Sequence, residues 1–273
     1  MRLIDLEHLG REHVIGAWLV GDVLVDPGPG STIDTLLAGL GGEVPRVIAL
    51  THIHLDHAGA TGALCERWPD AEVWVHERGA PHLADPSRLM ASAQRLYGDD
   101  MDRLWGEMVA VPADRLRVIG EGRAGDFRFA PTPGHASHHL SYLHEPTGTL
   151  FAGDTAGVRI EGGPTIAPTP PPDIDLEAWM ASIALYRRWD PDRVVVTHFG
   201  AFADVAGQLD ALEAWFDTWA PPARELDEER WVAEHHAWFA ARARPDVVGA
   251  LEQAAPPQQG YAGLARYWAK RAG

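Results

Sequence analysis

The stretch Thr51 to His57, with the sequence THIHLDH, constrains what this chain can fold into more than any other feature. It comes directly after the apolar run 47–50 and is followed by the small residues of 58–60. A short apolar run that stops at polar residues is typical of a buried strand whose end opens into a loop before a helix. The fold must therefore place three histidines and one aspartate at the edge of a sheet.

The side chains of His52, His54, Asp56 and His57 are all of the kind that bind metals. Imidazole nitrogens and carboxylate oxygens are ligands that zinc prefers and that iron and manganese also accept. His52 and His54 share one side of an extended segment, while Asp56 and His57 belong to the turn beyond it, so one loop can serve two metal positions. A chance cluster of surface histidines is the alternative, and it is disfavoured because the four residues follow a buried strand so closely.

Composition argues against several classes of partner. The formal net charge is −16 and Lys270 is the only lysine, so we expect no binding to nucleic acid or to acidic lipid, which both rely on clustered cations. No apolar run approaches the length of a membrane span, and charge interrupts the N-terminal residues too early for a signal peptide. The single cysteine, Cys65, excludes an internal disulfide. We expect a cytoplasmic protein.

The order of the predicted elements indicates a layered α/β chain. The pattern predicts strands at 14–20, 23–26, 47–50, 72–75, 126–129, 140–144, 149–152 and 193–196. Helices are predicted at 61–68 and from a cap at Asp173 or Asp175 to about Trp189. Strand, helix and strand in succession imply a right-handed crossover.

Two further segments are helical but have open roles. The segment 78–116 is rich in leucine and methionine, which fits both core packing and the wall of an adaptable pocket. From 207 onward the chain carries five tryptophans on amphipathic helices, which fits a substrate contact, a packed cap or a homodimer contact. His138 and His139 are interpreted as the start of the strand 140–144, with a contact to a ligand or substrate as the alternative; His8 and His235 are interpreted as surface or packing residues.

Three later residues repeat the opening pattern, in which an apolar strand runs into a polar residue with small neighbours. His135 follows Thr132-Pro133-Gly134, Asp154 follows the run 150–153, and His198 follows the run 194–197. If their strands lie side by side, one metal centre can reach all three.

These motifs resemble those of the metallo-β-lactamase superfamily, in the same order along the chain. The resemblance implies the four-layered αββα sandwich of that family, of the α/β (α+β) class, with two divalent metal ions, zinc first and iron or manganese as alternatives. His52, His54 and His135 would bind one ion and Asp56, His57 and His198 the other, with Asp154 as the bridge. Asp26 stands where the family keeps an aspartate, and we interpret it as structural support.

The same resemblance implies a mechanism and a domain organisation. A hydroxide shared by the two ions would attack an electrophilic carbonyl or phosphorus, and Asp56 would orient it and accept its proton. Residues 1–204 would form the catalytic domain, and 205–273 a C-terminal helical extension that covers the active-site side.

Within the superfamily, the sequence is most similar to the glyoxalase II-type hydrolases, because Thr132-Pro133-Gly134-His135 matches their motif. A bridging Asp154 without a secretion signal disfavours a true β-lactamase. The C-terminal extension has no lysine before Lys270, so the basic side chains that would contact glutathione are not evident. We therefore expect hydrolysis of an ester-like bond in a small apolar or acyl molecule, with a thioester preferred over a lactone or ester. A mono-iron persulfide dioxygenase and a non-catalytic ligand-binding protein are the alternatives.

Overall fold

The computed structural model describes residues 1–272, in which twelve strands form two six-stranded sheets. In each sheet the strands lie side by side in the order in which they occur along the chain. The first sheet contains β1 (Arg2–Asp5), β2 (Gly16–Val20), β3 (Val23–Val25), β4 (Val47–Ala49), β5 (Glu72–His76) and β6 (Leu116–Ile119). The second contains β7 (Gly122–Ala124), β8 (Phe127–Pro131), β9 (Leu140–His144), β10 (Thr149–Phe151), β11 (Arg193–Val196) and β12 (Gly200–Phe202).

Helices supply the crossovers that the parallel strand pairs require. The pairs β3–β4, β4–β5, β5–β6 and β10–β11 are parallel, and the other pairs are antiparallel. The helices of the crossovers are α1 (Ile33–Leu40), α2 (Leu55–Ala58), α3 (Thr61–Arg67), α4 (Ala80–Ala84), α5 (Ser87–Tyr97), α6 (Met101–Trp105) and α7 (Leu176–Trp189). Asp175 caps α7, because its Oδ1 accepts a hydrogen bond from the Ala178 backbone N–H.

Two apolar layers hold the sandwich together. The facing sides of the sheets pack large side chains against one another, such as Trp18 and Trp74 against Phe127, Phe129 and Phe151. The outer sides, with residues such as Ile48 and Val194, pack against the helices. Because each strand alternates its side chains between these two faces, the central strands of both sheets are buried on both sides. The predicted αββα sandwich is confirmed.

The C-terminal part is helical, as its pattern predicts. It contains α8 (Val205–Trp219), α9 (Glu228–Ala240), α10 (Val248–Ala254) and α11 (Pro257–Ala272). It packs on α7, where the rings of Trp179 and Phe216 lie 4.9 Å apart and Arg187 pairs with Asp210 and Glu213. A domain boundary at residue 204 stays a prediction.

Each strand predicted from the sequence is present, with ends that differ by at most a few residues. The four strands that were not predicted are β1, β6, β7 and β12, and these are the four edge strands of the two sheets. Edge strands bury less apolar surface and carry charged or glycine residues, such as Arg117 in β6 and Gly200 in β12, so their pattern is weak. None of the helices within residues 1–272 is both long and apolar enough to cross a membrane.

Candidate metal centre

The seven predicted ligand residues converge at one edge of the sandwich, on loops that follow strands. His52, His54, Asp56 and His57 follow β4, while His135, Asp154 and His198 follow β8, β10 and β11. They form three groups in which the potential ligand atoms lie within 4.8 Å of one another. The groups are His52, His54 and His135; His52, His57 and Asp154; and Asp56, His57 and His198. Their role as metal ligands stays a prediction.

Hydrogen bonds to the outer nitrogen orient three of the histidines. Nδ1 of His57 donates to Asp26 Oδ2 over 2.8 Å, that of His135 to the Pro168 carbonyl over 2.8 Å, and that of His198 to the Val14 carbonyl over 2.7 Å. Carboxylate and carbonyl oxygens only accept, so the proton lies on Nδ1 and the neutral ring turns the Nε2 lone pair inward. The protein thus fixes the tautomer that a metal ligand needs.

The Nε2 atoms that point into the centre are hydrogen-bond acceptors, and they face carboxylate oxygens, which are acceptors too. Nε2 of His57 and Nε2 of His198 lie 3.3 Å and 3.5 Å from Asp154 Oδ1, and Nε2 of His135 lies 3.4 Å from Asp154 Oδ2. His57 Nε2 and Asp154 Oδ1 are buried and have no hydrogen-bond partner within residues 1–272. Buried lone pairs that oppose one another need a proton or a cation between them. The donor set therefore fits a divalent metal.

The pKa values of these ligand residues follow from burial and from the same crowding. Burial lowers the pKa of His57, but the carboxylates of Asp154, Asp56 and Asp26 outweigh it and raise this pKa well above its ordinary value. For Asp154, burial raises the pKa, and the neighbouring histidines outweigh this effect and hold it well below its usual range. Burial lowers the pKa of His54 to about 4, and His135 adds to this effect, so His54 stays neutral. The raised pKa of His57 favours a proton on the Nε2 that faces Asp154, and a bound cation would replace this proton, because neutral imidazole and ionised carboxylate are the forms that bind metals.

Asp26 supports the centre from below. This buried residue accepts four hydrogen bonds: from the Thr51 backbone N–H, from the hydroxyls of Thr51 and Thr197, and from His57 Nδ1, at 2.7 to 3.0 Å. It has a left-handed backbone with φ of 49°. One carboxylate thus ties the loop after β4 to the loop after β11, as the structural role predicted for Asp26 requires.

Two glycines allow the close approach of backbone segments beneath the ligands. Gly134 has φ of 140°, and a Cβ there would lie 2.5 Å from the Trp179 backbone. Gly153 has φ of 49°, and a Cβ there would lie 2.6 Å from the Thr51 hydroxyl and 2.7 Å from His139 Nε2. Both positions need glycine, because a larger residue would displace His135 or Asp154.

The centre forms the floor of a cavity of about 620 Å³. The floor consists of His54, Asp56, His135 and Asp154. The walls come from α4, α5 and α6, from the proline-rich loop 168–172, and from the C-terminal helices. The segment 78–116 thus lines the cavity as one of its two predicted roles requires, but Met101 and Met108 pack in the core instead. Of the tryptophans after residue 207, Trp215 and Trp231 reach the cavity.

His138, His8 and His235 lie at the cavity, which was not their preferred interpretation from the sequence. His138 lies beside the floor, with its ring 5.7 Å from that of His54, a position that fits the alternative of a contact to a ligand or substrate; burial lowers its pKa to about 3. His8 and His235, interpreted from the sequence as surface or packing residues, are buried and line the cavity. No local pattern marks His8 and His235, because distant segments bring them to the cavity.

Comparison with known proteins gives consistent matches. The sequence profile of the metallo-beta-lactamase superfamily matches residues 16–198. The chain is 31% identical over 161 residues to the metallo-beta-lactamase fold-containing protein ST1585 of Sulfurisphaera tokodaii, which covers 56% of this chain and 60% of that protein. It is 34% identical over 148 residues to a hydroxyacylglutathione hydrolase of Xylella fastidiosa, which covers 52% of this chain and 46% of that protein. The chain thus spans about half of the length of these curated relatives.

Solved structures share the fold. The crystal structure of ST1585 from Sulfolobus tokodaii superposes with a TM-score of 0.68 at 23% identity, over 92% of this chain and 93% of that one. The structure of TTHA1623 in a di-iron-bound form superposes with a TM-score of 0.56 at 26% identity, over 72% of this chain and 93% of that one.

Proposed function

The chain belongs to the metallo-β-lactamase superfamily, and we propose that it is a metal-dependent hydrolase that cleaves an ester-like bond of a small acyl molecule. Thioesters are the preferred substrates, ahead of lactones and other esters. The observation that carries this proposal is the set of opposed, buried lone pairs of His57, His198 and Asp154, which lie at or directly beneath the floor of a cavity.

Two divalent cations, zinc first and iron or manganese as alternatives, fit the donor set. His52, His54 and His135 would hold one, and Asp56, His57 and His198 the other. Asp154 suits a bridge, because its Oδ2 faces His135 while its Oδ1 faces His57 and His198. When bound, the cations supply electrophilic activation and an acidified water at neutral pH.

The chain itself supplies a base. Asp56 lines the cavity, its side chain is 22% exposed, and its Oδ2 lies 3.3 Å from His198 Nε2. Burial raises the pKa of Asp56, but the charges of His57 and His198 outweigh burial and lower it. Asp56 is therefore ionised at neutral pH and accepts the proton of the attacking water.

The walls favour an apolar or aromatic acyl group. Leu89, Pro168 and Pro170 contribute apolar surface, which binds an acyl chain and excludes water from the floor. Among residues 1–272, no lysine or arginine of the C-terminal helices lines the cavity, whereas Arg78 and Arg88 line its other wall. The hydroxyacylglutathione hydrolases support the reaction class for this chain, and the carrier of the acyl group is left to the substrate panel.

We also propose that 205–273 acts as a cover of the active site attached to a catalytic domain of 1–204. The partner is a small-molecule substrate, with neither nucleic acid nor a membrane involved. A homodimer contact through the C-terminal helices is a further proposal, tested by the mass of the protein in solution.

The test is turnover by the purified, metal-replete protein on a panel of acyl thioesters, lactones and aryl esters, together with metal analysis. We expect two metal ions per chain and the fastest turnover on thioesters.

A pair of variants tests the site. His135→Gln should abolish turnover and lower the metal content. His236→Gln should change neither, because His236 pairs with Glu252 outside the cavity. No turnover on the panel would refute the proposal. One iron per chain with oxygen uptake on a persulfide would favour the dioxygenase, and ligand binding without turnover would favour the binding protein.

A further inference from the structure

The side chain of His138 presents one free hydrogen-bond donor to the cavity. Its Nδ1 accepts a hydrogen bond from the Ile53 backbone N–H over 3.5 Å, so this nitrogen carries no proton and the proton of the ring lies on Nε2. Nε2 makes no hydrogen bond within residues 1–272, and it does not belong to the fully buried polar atoms that lack a partner, so it is open to solvent. Because the residue is half-buried and lines the cavity, its Nε2–H group is open to that space.

The ring of His138 lies beside the first group of predicted metal ligands. Nε2 of His52 and Nε2 of His135 lie 2.9 Å and 3.0 Å from Nδ1 of His54, so the three potential ligand atoms converge at one point. The His138 ring lies 6.1 Å from that of His52, with 17° between the planes, and 5.7 Å from that of His54. The free donor and the converging ligand atoms therefore border the same part of the cavity.

His138 is not placed as a further metal ligand. It belongs to none of the three groups whose potential ligand atoms lie within 4.8 Å of one another. Its Nε2 also carries the proton, whereas a ligand nitrogen offers a lone pair. A donor at this distance suits an acceptor atom of a molecule that binds at the centre.

Two segments of the chain hold this donor in place. Ile53, in the loop after β4, fixes the ring through its backbone N–H. The next residue, His139, is buried, with its Nδ1 2.9 Å from the Thr132 hydroxyl and its backbone N–H donating to the Ala136 carbonyl over 3.2 Å. A donor that is fixed and unpaired is already oriented when its acceptor arrives with a ligand.

We propose that His138 Nε2–H donates a hydrogen bond to an oxygen of the molecule bound beside His54, which in the proposed hydrolase is the acyl oxygen. This inference rests on the proposed function for the identity of that oxygen. When water attacks the acyl carbon, a carbon–oxygen bond forms, the carbonyl electron pair moves onto the acyl oxygen, and the proton passes to Asp56. The His138 N–H stabilises the negative charge without losing its proton. The carbonyl then re-forms, the carbon–sulfur bond of a thioester breaks, and the thiolate leaves.

The first test separates the two nitrogens of His138. In His138→Asn the amide oxygen replaces Nδ1 as the acceptor for Ile53 and nothing replaces Nε2–H, whereas in His138→Gln the amide brings an N–H group close to the position of Nε2. On the best substrate of the panel, His138→Asn should lower kcat on the order of 10²-fold with KM little changed, because the bond strengthens in the transition state. His138→Gln should recover most of this loss.

A matched control makes the same change elsewhere. His236→Asn, at a histidine that pairs with Glu252 outside this cavity, should leave kcat and KM unchanged. Zinc content and Tm are measured in every variant. An unchanged kcat in His138→Asn, a change confined to KM, or losses of equal size in His138→Asn and His138→Gln would overturn the proposal.

The second test does not depend on turnover. Nitrogen-15 NMR of the zinc-loaded wild type distinguishes the protonated nitrogen of a histidine ring from the bare one. We expect the proton of His138 on Nε2, and we expect this N–H signal to shift when acetohydroxamate, which brings two oxygens to the site, is added. A proton on Nδ1, or a signal that does not respond, would overturn the proposal.

Calorimetric titration of acetohydroxamate measures the strength of the same contact. His138→Asn should bind it about two- to tenfold more weakly than the wild type at equal zinc content, which is the size of one hydrogen bond. Equal affinity in the two proteins would overturn the proposal. If the wild type hydrolyses nothing on the panel, the proposed function fails by itself, and the NMR and titration experiments still decide whether His138 donates to a bound oxygen.

Discussion

The floor and the walls of the cavity come from different parts of the fold. The residues that form the floor or lie directly beneath it follow β4, β8, β10 and β11, and hydrogen bonds to Asp26 or to buried carbonyls fix three of the histidine rings. The walls come from helices and from a proline-rich loop, and their contacts are mainly apolar and aromatic. The sheets thus set the geometry of the reaction, while the helices set which molecule fits. The two regions should therefore respond differently to mutation.

The largest expected effect comes from Asp154→Asn on the floor. Asparagine keeps the shape but loses the charge that faces His57, His135 and His198, so turnover should fall to background and metal content should drop. Turnover assays and metal analysis measure this. Asp173→Asn is the matched control, because Asp173 lines the wall and accepts from the Ser137 hydroxyl over 2.7 Å. Equal losses in both variants would break the distinction between floor and walls.

A smaller effect on the metal centre is expected from a change at Asp26, which lies beneath the floor. Asp26→Asn weakens the acceptor for His57 Nδ1 and for the Thr51 and Thr197 hydroxyls, so the ring of His57 loses its fixed orientation. Metal affinity should fall about 10–100-fold, as is usual when a residue that orients a ligand is changed. Competition with a chelator gives the affinity. Unchanged affinity would mean that the ring of His57 is held by something other than Asp26.

In the wall, Leu96→Ala should change substrate choice and nothing else. Leu96 lines the cavity although its side chain is 45% exposed, so its loss costs little stability but removes apolar contact with a long acyl chain. The KM of a long-chain substrate should rise about tenfold, with the metal content and Tm unchanged. Val118→Ala, at an exposed residue of β6 outside the cavity, is the control. A lower metal content in Leu96→Ala would contradict the expectation that wall residues affect substrate binding and leave the metal centre unchanged.

The smallest effect concerns the pH dependence of stability in the C-terminal helices. Burial lowers the pKa of His235 to about 3, and its Nε2 accepts from Trp215 Nε1 over 3.0 Å. The unfolded histidine titrates near about 6.5. The stability that this group contributes is therefore complete above that pH and is lost as the pH falls toward 3.

In His235→Phe this contribution is absent, so the drop in Tm between neutral and acid pH should be smaller than in the wild type. Thermal unfolding followed across this pH range measures the difference. If Tm falls by the same amount with pH in both proteins, His235 is not a source of the acid sensitivity.

The same division explains what the sequence could predict. Residues such as His52 and Asp154 stand next to their strands, so an apolar run followed by a polar residue marks them locally. The buried strands were predicted for the same reason, whereas the short edge strands β1, β6, β7 and β12 each contain charged or glycine residues, which weaken the apolar pattern. His8 lies at the cavity through contacts with distant segments, such as its hydrogen bond with Gln253, 245 residues away, and no local pattern encodes this position.

The four hydrogen bonds to Asp26 also separate the support of one ligand from the identity of the ion. They hold the His57 ring and both neighbouring loops through contacts of the chain alone. The orientation of this ring therefore has a support that is the same for every ion that the centre could bind.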